Sequence, residues 1–111
     1  MSIFDEVFNF LEALASGEPL RKEVIDITEI NDGDTLWIID TCDTADCGYE
    51  TAIQIVHKGK VVLDWVIVER YPDRDAAILG DNKWCLDIEK NHTTYFYSVQ
   101  DKCIHGVDIA E

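Results

Sequence analysis

The chain has 111 residues, 47% of them hydrophobic, which excludes a disordered segment and gives a single domain, 1–111, of ordinary size. Nine Lys and Arg against 23 Asp and Glu leave a net charge of -14, beyond the roughly 2 to 8 units usual for a small soluble domain. Such a surface repels nucleic acid and anionic membranes, and no apolar run approaches the roughly 18 residues of a membrane span.

The start, MSIFDEVFNF, carries acids where a secretory signal carries bases, so the expected location is cytoplasmic, with cysteines kept as thiols. Ser2 is placed to cap a helix. Ile3, Val7, Phe8, Leu11 and Leu14 recur at three- and four-residue spacing until Gly17 and Pro19, the stripe of an amphipathic helix. Strand patterns follow at 23–30, 35–41, 49–57 and 60–70. Their turn signals are Asp32–Gly33 and Lys58–Gly59. Pro72 and Gly80 interrupt the pattern, and Asp73 is expected to cap a short helical insertion near 73–79. KWCLDIE (83–89) alternates Trp84, Leu86 and Ile88 against Cys85, Asp87 and Glu89, which predicts another strand. TTYFYSVQ (93–100) predicts a last one.

The expected fold class is therefore α+β: an N-terminal amphipathic helix packed on a five- or six-stranded, mostly antiparallel meander sheet, as a monomer or homodimer.

The stretch DTCDTADCGYE (40–50) raises the question of chemistry. Cys42 and Cys47 are spaced more widely than most paired zinc ligands. Cys103 and His105 could complete a Cys3His set only if the tail folded back to meet them. No C-x2-C pair, calcium loop, phosphate loop or dinucleotide fingerprint occurs. The reading is no metal, no cofactor and no catalytic residue. A small zinc protein using Cys42, Cys47, Cys103 and His105, or a thiol enzyme, is the alternative. His57 and His92 fall at turn positions, and Cys85 and Cys103 read as inert thiols.

What remains is charge. From Glu23 to His57 there is no lysine or arginine. The expected partner-binding residues are Asp32, Asp34, Asp40, Asp43, Asp46 and Glu50, facing a basic protein with a nucleic-acid-binding surface. In composition the chain resembles two groups of small cytosolic inhibitors. One is the phage anti-defence proteins (anti-CRISPR and anti-restriction proteins); the other is the immunity proteins that neutralise bacterial toxins. Either resemblance implies an inhibitor rather than an enzyme.

Overall fold

In a computed structural model of the chain, residues 23–44 and 47–109 are described. The β-branched run that begins at Glu23 folds as four consecutive antiparallel strands. They are β1 (Glu23–Asp32), β2 (Thr35–Thr44), β3 (Gly48–His57) and β4 (Lys60–Tyr71), in spatial order β1-β2-β3-β4. Register runs from Asp32↔Thr35 at one end of the first pair to Thr44↔Gly48 at the far end of the second. The turn between β3 and β4 is two residues, Lys58 and Gly59, both with positive φ (51° and 76°), so its twist matches that of the flanking strands.

Helix α1 (Arg74–Asn91) follows the sheet, and a separate hairpin of β5 (Tyr95–Ser98) and β6 (Cys103–Gly106) closes the described chain. Alternation sets one face of β2 and β3 toward α1. Trp37, Ile39, Ile53 and Ile55 from that face join Leu63, Val66, Val68, Ile88 and Phe96 in one buried cluster. A fully buried isoleucine contributes about 1.5–3 kcal/mol. The opposite face of β2 is also withdrawn from solvent, through Ile38, Asp40 and Cys42. β2 is therefore the central element of the domain.

The fold class differs from the sequence expectation. The described chain is mostly strand, with one helix after the main sheet. The sheet has four strands rather than five or six, and the last two strands form their own hairpin. The N-terminal helix predicted from the Ile3–Leu14 stripe lies outside the described residues. The short insertion near 73–79 is instead the first part of an 18-residue helix that runs through the predicted strand at 83–89.

The cap is where the sequence places it, since Asp73 Oδ1 accepts from the backbone N–H of Ala76 at 2.8 Å. What hides the rest is the composition of the packing stripe. Ala77, Gly80, Asp81 and Ile88 are its buried members, with Trp84 and Cys85 half-buried between them. Three- and four-residue spacing is present, but it is carried by a glycine, an acid and a cysteine. Leu79 and Leu86, which a hydrophobic pattern would put inside, are 71% and 67% exposed. Gly80 is required because the Tyr71 ring lies where a Cβ would be.

Candidate functional site: an acidic cleft at one end of the sheet

The β1–β2 and β3–β4 turns lie at the same end of the sheet and are tied together, the Lys58 N–H donating to the Asp34 carbonyl at 2.9 Å. α1 also ends there. Its C-terminal cap is His92, held left-handed (φ 49°), with its N–H bonded to the Ile88 carbonyl. Between these turns, the helix end and the segment after β6 opens a cleft of about 610 Å³.

Trp37 and Thr35 form one side of the cleft. The buried Trp37 indole Nε1–H donates to the Thr93 carbonyl at 2.8 Å, and its ring stacks on His92 at 5.0 Å between centroids. His57 Nδ1 meets Thr35 Oγ1 at 2.8 Å, and His92 Nδ1 meets Asp32 Oδ2 at 3.2 Å. Asp32, Asp34 and Asp108 all line the cleft, and among the described residues Lys58 is the single lysine that joins them, with no arginine. Asp108 also accepts from the Tyr95 hydroxyl.

The two ends of β2 differ in how their acids are balanced. At the end near residues 43–50, Arg70 Nε lies 3.4 Å from Glu50, and Arg74 Nε lies 3.1 Å from Glu23. At the cleft end, no lysine or arginine forms a salt bridge with Asp32, Asp34 or Asp108 among the described residues.

The six acids expected to bind a partner thus separate. Asp32 and Asp34 are exposed at the cleft. Asp43 is half-buried at the opposite end of β2, and Glu50 is tied to Arg70. Asp46 lies outside the described residues. Asp40 is only 3% exposed, so it is no part of a solvated rim, and reversing its charge would test folding rather than docking. Even alternation along β2 puts Asp40 on the face of Ile38, and the sequence gives no sign that this face is buried. Sequence reasoning also passed over His57, His92, Trp37 and Asp108. His92 has a signal, a helix C-cap, but only once α1 is recognised as running to Asn91.

A second polar group lies beneath α1. Thr41 donates to Asp81 Oδ1 at 2.6 Å, and Thr41, Thr51 and Tyr71 are joined in series at 2.7 and 2.9 Å. Each hydroxyl has one proton. With Thr41's given to Asp81, Thr51 donates to Thr41 and Tyr71 to Thr51.

Burial, reinforced by the neighbouring Asp26 carboxylate and opposed by the Thr41 bond, pushes the Asp81 carboxyl up from 3.8 to about 6. Burial likewise pushes the Cys85 thiol up to about 11, so it is protonated at neutral pH. Asp26, Asp81 and Cys85 are also the one group of three metal-capable side chains that converges among the described residues, their ligand atoms within 4.8 Å of each other. Burial and hydrogen bonding make it a clasp between helix and sheet.

A pH dependence follows. Between about pH 4 and 6 the folded chain keeps a proton on Asp81 that the unfolded chain has released, so stability declines as pH rises through that window. Asp81→Asn still accepts from Thr41 and can donate to Asp26. It is expected to flatten this slope and to gain about 1–2 kcal/mol at pH 7, read from denaturant unfolding at several pH values.

The alternative zinc set does not assemble. Cys42 is buried on β2 and Cys47 is exposed beyond its end, while Cys103 and His105 contact each other on β6. They form no converging group among the described residues. No described helix is long and apolar enough to cross a membrane.

The fold and site define a mostly-β domain with an acidic, histidine-containing cleft at one sheet end. Comparison with known proteins finds no family model, no curated protein and no solved structure that this chain matches.

Proposed function

We propose that the protein is a small acidic binding module of the cytoplasm that docks on, and blocks, a basic nucleic-acid-handling protein. The cleft takes that partner's cationic side chains. The observation that carries this reading is the asymmetry between the sheet ends: arginines pair with acids at one end, whereas Asp32, Asp34 and Asp108 open onto a shaped cleft at the other.

A guanidinium suits this lining. Its planar fork bonds carboxylates in pairs, and its face stacks on rings such as His92. The net charge of -14 would speed encounter with a basic partner from a distance. A phage anti-defence protein and a toxin-immunity protein are both forms this module could take, and of the two we favour anti-defence.

An enzymatic reading has less support. The arrangement nearest to a catalytic relay is Cys103, His105 and Asp101, but sulfur and carboxylate both meet His105 at Nε2, whereas a relay uses the two ring nitrogens.

The reading is tested with a short arginine-rich peptide as probe. Its affinity should fall steeply between low salt and several hundred millimolar, because exposed charges are screened within about 8–10 Å at physiological ionic strength. Affinity unchanged by salt, or no binding at low salt, would remove the electrostatic basis of the proposal.

A further inference from the structure

The C-terminal hairpin carries a thiol and an imidazole in contact, away from the cleft and from any role proposed above. Cys103 and His105 are two residues apart on β6, hence on one face of it. The exposed Cys103 Sγ lies 3.5 Å from His105 Nε2. Asp101 Oδ2 lies 3.0 Å from the same nitrogen.

The shared atom settles where the proton sits. A carboxylate oxygen only accepts, so the hydrogen is on Nε2, and the sulfur faces a donor rather than a base. A donor aimed at sulfur favours the thiolate over the thiol. The turn that presents the group is itself fixed. Asp101 N–H donates to Ser98 Oγ at 2.9 Å, and Lys102, left-handed at φ 58°, donates from its N–H to the Ser98 carbonyl at 2.8 Å.

We propose that Cys103 is a site of reversible S-thiolation by low-molecular-weight disulfides. His105 donates to the reacting sulfur, and Asp101 is the positioning residue that keeps the proton on Nε2. The thiol releases its proton to water, and the sulfur attacks one sulfur of the disulfide, whose S–S bond breaks. Cys103 is oxidised to a mixed disulfide; the departing half is reduced and takes a proton from water.

The other cysteines are less suited. Cys42 is 6% exposed, and Cys85 is half-buried with its thiol held protonated. Cys47 is exposed, but among the described residues no imidazole is bonded to it. Sequence pattern alone read Cys103 as an inert packed thiol; only the hairpin register places it outside and beside His105.

The test is to incubate the folded full-length chain with oxidised glutathione and follow the adduct at each cysteine by peptide mass spectrometry. Cys103 should be modified first. His105→Ala should slow it by about three- to tenfold, the loss of one charge-assisted or strong hydrogen bond to the sulfur. His105→Gln, whose amide can still donate, should restore part of the rate. The Cys47 rate reports any general unfolding and should stay constant across the variants. Modification of Cys47 as fast as Cys103, or a Cys103 rate unchanged in His105→Ala, would overturn the assignment.

Discussion

Trp37→Ala is expected to lower stability by about 3–5 kcal/mol, the range for truncating a large aromatic in a close-packed core. Trp37 is 3% exposed on the central strand, between Ile55 in register on β3 and Ile30 on β1. Its removal leaves a cavity that three paired strands cannot collapse into. It also strips the Thr93 carbonyl of its indole donor and His92 of its stacking partner, which loosens the end of α1. Trp37→Phe separates these contributions. It keeps much of the volume and loses the indole bond, so a smaller loss of about 1–2 kcal/mol is expected. Denaturant unfolding followed by circular dichroism measures both. A loss under about 1 kcal/mol for the alanine variant would mean that the β2 face toward α1 is not the core.

The second large effect concerns docking. Reversal of Asp32, Asp34 and Asp108 to lysine turns the cleft rim from acidic to basic and leaves the buried cluster untouched. An exposed ion pair contributes up to about 1 kcal/mol, and reversal adds repulsion of similar size. Three such sites give roughly 2–4 kcal/mol, about thirtyfold or more in affinity for a basic partner. The control is reversal of Asp73, Asp75 and Glu89, exposed residues at or along α1 that do not line the cleft. Asp73 caps the helix, so its reversal costs stability, which must be measured alongside binding. Equal loss of affinity from both triple variants would show that total charge matters and the cleft does not.

The meander was legible in the sequence because turn chemistry and alternation agree. Lys58–Gly59 adopts the mirror-image turn that its glycine suggests, and all four strands of the sheet fall where β-branched runs predict them. α1 was legible only at its start. Asp73 after Pro72 is a strong local signal, whereas Gly80 reads as a stop and is in fact the place where the Tyr71 ring crosses the helix. Trp84, Leu86 and Ile88 satisfy a strand pattern by coincidence, since the helix buries Ile88, half-buries Trp84 and exposes Leu86.

Half of the cleft's acidic rim was visible at Asp32 and Asp34 in their turn. Asp108 was not, because nothing local to VDIAE shows that it returns beside the first hairpin. Asp40 shows the converse limit. An acid beside a turn reads as surface, and only the three-dimensional packing reveals that its strand is covered on both faces.

The central claim, that the cleft is where a basic partner's side chains enter, is tested most directly by titrating isotope-labelled protein with an arginine-rich peptide and mapping the perturbed NMR signals. The account predicts saturable, salt-sensitive shifts confined to Gly33, Asp34, Lys58, the His57 and His92 rings and the Trp37 indole N–H, all of which line or border the cleft. Shifts centred instead on residues 43–50, or spread evenly over the acidic surface, would contradict it.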